Sequence, residues 1–191
     1  QDEWQLGPTL TLTGGLRGER MAIRSTERDS SHGAVDPSLA LRWEAAKGWV
    51  ARTSLSGAIR FPKLEELSRV ASRSALANTP LESDRGGNPW LRPERVANLE
   101  AGLERHVQGG VLGINTYVRR TQDFIERRTL WEGTRWVDRP YNEGDARHWG
   151  LELSAKINGE APWLQDWIGR QGSLRAQFTL PRGRVDDALL G

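Results

Sequence analysis

Apolar and polar residues alternate along much of this chain. Between Trp49 and Phe61 the odd positions carry apolar or small residues and the even positions are mostly polar, including Arg52 and Arg60. Because successive side chains of a strand point to opposite faces, this pattern predicts a strand with two unlike faces. The same period predicts about seven strands in all, with the others at 10–17, 39–44, 97–106, 112–119, 149–157 and 174–180.

The connections between these strands alternate in length. Short turns are predicted at 45–48 and 108–110, whereas the segments 21–36, 62–91 and 126–147 are long and polar. Short turns at one end and long loops at the other are typical of an outer-membrane barrel. The pattern alone leaves a soluble β-sandwich open. Short helices are predicted at 62–71 and 162–168, the second with Trp163 and Trp167 on one face, either interfacial or packed on its neighbours.

Composition excludes several classes of function. The 191 residues include 27 Lys and Arg against 25 Asp and Glu, and this balance predicts no nucleic-acid partner. The chain has no cysteine, and its three histidines are far apart in sequence, so we expect no metal site and no cofactor. The sequence has no long apolar run, so no transmembrane helix is predicted. No catalytic motif is present, and pairs such as Glu65–Glu66 are interpreted as solvated charges, so we expect no enzyme.

Four sequence segments resemble motifs of one known family. Residues 88–94 and 98–104 are similar to the "NPxLxPE…NxExGxE" motif of TonB-dependent outer-membrane receptors. Residues 10–17 resemble their "LxLxxGLR" strand, residues 60–67 resemble "FRxPxLxEL", and residues 144–153 resemble "NxGxAxxxGxExE". The order and spacing agree across nearly the whole chain.

The resemblance implies a fold and a function. The family has an N-terminal plug domain and a 22-stranded barrel, whereas this sequence shows no plug-like or TonB-box-like segment and does not end in an aromatic residue. We therefore expect residues 1–191 to form an all-β, antiparallel up-and-down part of a transmembrane β-barrel, from its C-terminal half. The implied function is TonB-dependent uptake of a scarce ligand, such as a ferric siderophore, haem or cobalamin, across the outer membrane of a Gram-negative bacterium. A passive porin-like or adhesion barrel, or a soluble sandwich that binds a ligand, stays open.

The alternation also predicts which residues face the lumen and which face lipid. The apolar positions, including Leu55, Leu99 and Leu153, are expected to point outward. The polar set is expected to line the lumen and consists of Arg42, Arg52, Glu104, Asn115 and Arg175.

Two further sets of residues are candidates for binding. Glu100 and Glu152 have the lumen-facing parity, and the resemblance implies that arginines of the plug, through which the TonB complex acts, contact them. Alternatively, they pair within the wall with Arg42, Arg52 or Lys156, or face water. Loop arginines are expected to form a cationic mouth for an anionic ligand such as an iron chelate, or else to pair with lipopolysaccharide phosphates or neighbouring carboxylates. They are Arg69, Arg73, Arg85, Arg127, Arg128 and Arg135.

Overall fold

The structure is a computed structural model that describes residues 1–24, 29–73, 77–162, 165–169 and 171–187. Within these ranges the chain forms eleven strands and two single-turn helices. The strands are β1 (Asp2–Gly7), β2 (Leu10–Ile23), β3 (Ser30–Ala46), β4 (Trp49–Arg60), β5 (Asp84–Arg85), β6 (Glu94–Val107), β7 (Gly110–Gln122), β8 (Ile125–Trp131), β9 (Trp136–Asn142), β10 (Gly144–Asn158) and β11 (Ser173–Asp187). The helices are α1 (Leu64–Leu67) and α2 (Gln165–Ile168).

Eight strands form one sheet in the order β1-β2-β3-β4-β6-β7-β10-β11, and each neighbouring pair is antiparallel. Apart from the excursion of β5, β8 and β9, strand order follows chain order, so the prediction of an all-β, up-and-down sheet is confirmed. All seven predicted strands are present. Six of them extend beyond the predicted bounds, and β4 ends one residue before its predicted end, at Arg60. The sequence missed β1, because two apolar residues in a six-residue strand are too few to establish a period.

The prediction that short and long connections lie at opposite ends is confirmed by this topology. Because neighbouring strands run antiparallel, successive connections within the main sheet leave at alternate ends. The turns before β2, β4 and β7 therefore share one end, here called the turn end. The connection after β2, the connection 61–93 after β4 and the connection 123–143 after β7 leave at the other, the loop end. The connection after β10, which contains α2, leaves at the turn end although it is longer than the turns there. Gly48 and Gly109 complete two of the turns with φ of +74° and +76°, a left-handed conformation that favours glycine.

A second, smaller sheet lies within the two long connections. It has the order β5-β9-β8, with β5 parallel to β9 and β9 antiparallel to β8. The sequence interpretation of these connections as loops was wrong for β8 and β9. Most of the buried residues of the described chain lie in or beside this unit, including Leu91, Val137 and Pro140. The long connections therefore have a small core of their own.

The predicted helices are much shorter in the structure. Residues 62–71 contain only α1, because Ser68 already has the extended backbone angles φ −73° and ψ 117°. Residues 162–168 contain α2, whose Trp167 is exposed, and Trp163 lies outside the described residues. Among the described residues, neither helix has the length and apolar composition needed to cross a membrane.

Candidate functional site

The register of the main sheet places the predicted site residues on one face. Directly paired residues of antiparallel strands have side chains on the same face of the sheet. Arg42 pairs with Arg52, which pairs with Gly102, and Gly102 pairs with Asn115, which pairs with Glu152. One row across β3, β4, β6, β7 and β10 thus holds four of the predicted residues.

The neighbouring rows complete the set. Glu100 and Glu104 precede and follow Gly102 by two residues in β6, so their side chains share its face. Arg175 pairs with Lys156, which lies four residues after Glu152 in β10 and has the same parity. We call this surface the polar face. It contains both glutamates predicted to contact a plug and all five residues predicted to face a lumen.

The polar face surrounds an open cavity of about 400 Å³. Its lining extends from Thr13 on β2 to Gln177 on β11 and therefore crosses seven of the eight strands. The predicted residues that line it are Arg42, Arg52, Glu100, Glu104, Asn115 and Glu152. The cavity brings six of the seven together, while Arg175 lies nearer the turn end of β11.

Charges on the polar face are only partly compensated. Arg52 pairs with Glu104 at 2.9 Å and Arg42 pairs with Glu44 at 2.7 Å. Glu100 accepts a hydrogen bond of 2.7 Å from the side-chain amide of Asn98. Within the described part of the chain, neither Glu100 nor Glu152 forms an ion pair. The alternative that these two glutamates pair with cations of the wall is therefore not what the structure shows.

The opposite face, called the apolar face, is exposed. Leu99 and Leu103 are 49% and 38% accessible, and Ile114 and Leu153 are 43% and 41% accessible. In β6, Glu100 and Glu104 are more shielded than these leucines. Soluble proteins bury the apolar face of a sheet and expose the polar one, so the distribution here is reversed. The chemistry of this sheet suits lipid on one face and water on the other.

Three of the predicted mouth arginines are engaged by carboxylates in the long connections. Arg127 donates hydrogen bonds to the Asp138 carboxylate at 2.7 Å and to the Gly86 carbonyl at 2.9 Å. Arg135 makes a bidentate contact with the buried Asp84. The remaining pair joins Arg128 to the buried Glu143. These contacts agree with the alternative of pairing to neighbouring carboxylates and indicate a structural role.

The other three predicted mouth arginines are more exposed. The Arg85 guanidinium is 3.8 Å from Asp138, and its side chain is 74% accessible. Arg69 lies over the Trp90 ring at 5.9 Å from its centroid. Arg73 is exposed as well. Among the six predicted mouth arginines, those available to a ligand are therefore Arg69, Arg73 and Arg85.

A cluster of charged residues around Glu94 was not predicted from the sequence. Arg60 donates hydrogen bonds to Glu94 at 2.8 and 3.1 Å and contacts Glu66 at 3.1 Å. The same Glu94 carboxylate accepts the backbone N–H of Ile125 at 2.7 Å. The cluster joins the ends of β4 and β6 to α1 and to the start of β8. Glu94 closes the first motif of the resemblance, a signal that could have singled it out.

Arg139 fixes another part of the loop end. It pairs with Glu132 and also donates hydrogen bonds to the carbonyls of Arg69 and Gly87. The hydrogen bonds from Arg139 lower the pKa of Glu132 below its ordinary value, against a smaller opposing effect of burial. The hairpin of β8 and β9 is thus tied to the preceding long connection.

Comparison with known proteins gives a family match over most of the chain. A family model described as "TonB dependent receptor-like, beta-barrel" matches residues 1–188. A search of curated proteins finds no match.

Several solved structures share the fold. The FrpB iron transporter from Neisseria meningitidis (F3-3 variant) has a TM-score of 0.65 at 18% identity, covering 95% of this chain and 24% of that one. The siderophore receptor PirA from Pseudomonas aeruginosa has a TM-score of 0.68 at 19% identity, covering 95% and 30%. The copper transporter OprC has a TM-score of 0.65 at 20% identity, covering 95% and 28%. The chain thus spans about a quarter to a third of the length of these proteins.

Proposed function

Because this chain belongs to the TonB-dependent receptor-like β-barrel family, we propose that it forms part of the barrel wall of an outer-membrane receptor. The proposed activity of the whole protein is uptake of a scarce ligand with energy supplied through the TonB complex. The observation that carries the proposal is the reversed distribution of residues between the two faces of the main sheet. In the family this distribution separates membrane lipid from an aqueous lumen.

The proposal assigns a surrounding to each face. The apolar face contacts the hydrocarbon of the outer membrane, and the polar face lines the lumen with Arg42, Arg52, Glu104, Asn115 and Arg175. A side chain on the polar face meets water or another polar domain, so charges are tolerated there. Lipid contact explains why large apolar side chains remain exposed across several neighbouring strands.

Glu100 and Glu152 are the proposed contacts to a plug domain. Both line the cavity of the polar face, and within the described residues neither is neutralised by a cation of the wall. A carboxylate that becomes shielded from water requires a charged or hydrogen-bonding partner. Arginines on a plug would supply such partners through bidentate contacts.

This contact predicts a specific result in the complete receptor. The double substitution Glu100→Gln and Glu152→Gln is expected to loosen the plug, measured as raised single-channel conductance in planar bilayers. Ligand binding at the outer mouth should largely persist. The control is Glu82→Gln with Glu160→Gln, which removes the same charge from exposed positions outside the polar face. Unchanged conductance in the first variant, or an equal increase in the control, refutes the plug contact.

The proposed ligand class is a metal chelate or related cofactor, such as a ferric siderophore, haem or cobalamin. Its support is that solved structures with this fold include an iron transporter, a siderophore receptor and a copper transporter. The exposed arginines of the 69–85 segment favour an anionic ligand.

Uptake is testable with defined probes. Cells that produce the complete protein are offered ferric catecholates, ferric hydroxamates, haem and cobalamin, and accumulation is compared with and without a functional TonB protein. We expect at least one probe to accumulate only when TonB is present. Accumulation that is equal without TonB supports a passive barrel instead, and no accumulation of any probe contradicts the proposed ligand class.

A further inference from the structure

Three arginines lie side by side on the apolar face near the loop end. Arg120 on β7 pairs directly with Arg147 on β10, and Arg147 pairs directly with Arg184 on β11. Their side chains therefore share one face across three adjacent strands. With strands about 4.8 Å apart, the row spans roughly 10 Å. We call these three residues, together with Arg182, the arginine row.

The arginine row lies beside exposed apolar side chains. Two residues nearer the turn end, Val118 and Trp149 pair with each other, and Trp149 also pairs with Arg182. The next positions in the same direction include the pair Leu151 and Leu180. Val118 and Trp149 are 51% and 43% accessible, and Leu180 is 49% accessible. The apolar face thus changes from aliphatic and aromatic side chains to guanidinium groups within one row.

Nearby carboxylates compensate only part of this charge. Asp145 accepts hydrogen bonds from Arg120 at 2.6 and 3.0 Å. Asp186 lies 2.7 Å from Arg184 and 4.0 Å from Arg147. Four guanidinium groups therefore face two carboxylates, which leaves an excess of two positive charges in this cluster of described residues. The side chains of Arg120, Arg147 and Arg184 are 50%, 55% and 75% accessible, so a ligand can reach them.

Like charges placed directly opposite one another destabilise a sheet. A row of arginines on an exposed face therefore gains stability from an anionic partner. Such a partner must have negative charge at one end and apolar groups at the other, because the arginine row continues directly into exposed apolar side chains. Phosphate bound to arginine satisfies the first requirement, and acyl chains satisfy the second.

We propose that the arginine row binds the phosphorylated headgroup of a lipid in the outer leaflet of the outer membrane. The phosphates contact Arg147, Arg184 and Arg182, and the acyl chains run along Trp149, Leu151 and Leu180. This site is on the opposite face of the sheet from the cavity of the polar face. The inference rests on the proposed outer-membrane location, since that location gives lipid access to the apolar face.

The test uses the complete protein in nanodiscs. The probe is lipopolysaccharide with both lipid A phosphates, compared with the same lipid after phosphate removal, and bound lipid is measured by native mass spectrometry. The double variant Arg147→Gln/Arg184→Gln is expected to bind the phosphorylated lipid about tenfold more weakly, or worse, because two charge-assisted contacts are lost. Removal of the phosphates should weaken binding to the native protein similarly and abolish the difference between the two proteins.

The matched control is Arg119→Gln/Lys156→Gln, which also removes two positive charges, here from β7 and β10 and on the polar face. Arg119 pairs with Asn98, and Lys156 pairs with Arg175. We expect this control to bind the phosphorylated lipid as the native protein does. An equal loss in the control shows a nonspecific effect of net charge and overturns the site, as does unchanged binding in the double variant.

Two further measurements keep the outcomes distinct. Inorganic phosphate that displaces the lipid from the native protein at equal concentration shows an ion site and overturns the lipid proposal. If the double variant does not assemble, the single variant Arg184→Gln replaces it, because that side chain is the most exposed of the row. Failure of the native protein to insert into a bilayer refutes the proposed location, whereas insertion without phosphate preference refutes the lipid site alone.

Discussion

Replacing Glu94 with alanine should release the long connections from the main sheet. Glu94 is 6% accessible, and its carboxylate accepts three hydrogen bonds, two from Arg60 and one from the backbone N–H of Ile125. Removing one partner of a buried ion pair costs about 3–5 kcal/mol. Here the cost should be lower, because Arg60 is partly exposed and keeps its contact with Glu66. We expect the local free energy of unfolding to fall by about 2–3 kcal/mol, mainly because the Ile125 amide loses its acceptor and the Arg60 guanidinium loses one of its two carboxylates.

This loss can be measured by limited proteolysis of the complete protein. Trypsin cleavage after Arg69 and Arg85 tracks the population of the open form when opening is fast. A loss of about 2–3 kcal/mol then raises the cleavage rate roughly 30- to 140-fold. Glu82→Ala is the control, since it removes the same charge from an exposed position in the same connection. Cleavage of Glu94→Ala at the native rate, or an equal rise in the control, refutes the reasoning.

Three further outcomes are expected elsewhere in the chain. Leu153→Arg places a charge on the apolar face, which costs about 2–4 kcal/mol near the bilayer midplane. Membrane assembly of this variant should therefore fall far below that of Ser154→Arg, which places the same charge on the polar face. Equal assembly of the two variants contradicts the assignment of faces. The pKa of Glu132 is lowered by Arg139, so their pair should stabilise the β8–β9 hairpin above pH 4.5, the ordinary value, and be lost as pH falls through the lowered pKa. Hydrogen exchange of the hairpin should show this acid-side loss, and Glu132→Gln should remove it; an identical pH profile in the variant contradicts the assignment. Gly109→Ala forces a left-handed residue and brings a Cβ against the backbone of the connection after β10, so the thermal midpoint should fall, and an unchanged midpoint argues against the turn geometry.

The main sheet could be predicted from the sequence because two different surroundings impose a period of two on each strand. Leu99 and Leu103 alternate with Glu100 and Glu104 in the middle of β6, so both the strand and its faces follow from the pattern. The pairing of neighbours in chain order then follows from the short turns. The prediction that Glu100 and Glu152 share a face required only their parity.

The sheet at the loop end could not be predicted in this way. Its strands are short, and charged residues occupy positions on both sides of β8. Their side chains pair with groups far away in sequence, as Arg135 does with Asp84, 51 residues earlier. No local period encodes such a choice of partner. For the same reason the sequence could count the loop arginines but could not tell which of them are neutralised.

The long connections are also interlocked by asparagine side chains. Asn88 donates to the Pro140 carbonyl at 3.1 Å, and Asn142 accepts from the Arg92 amide at 2.9 Å and donates back to its carbonyl at 3.0 Å. Each of these hydrogen bonds thus joins one long connection to a residue of the other that is about 50 residues away in sequence.

These hydrogen bonds divide the loop end into two parts that should tolerate sequence changes differently. The frame is the part held by Asn88 and Asn142, and the tips are the turns at 79–82 and 132–135. An insertion between the braced residues would shift one connection against the other and break both sets of hydrogen bonds. The tips at 79–82 and 132–135 are closed by local backbone hydrogen bonds, so the residues between their ends, 80–81 and 133–134, can change in length or sequence while the frame is kept. We therefore expect an epitope tag inserted at 133 to be displayed with the barrel assembled, and one inserted at 89 to prevent assembly of the loop end.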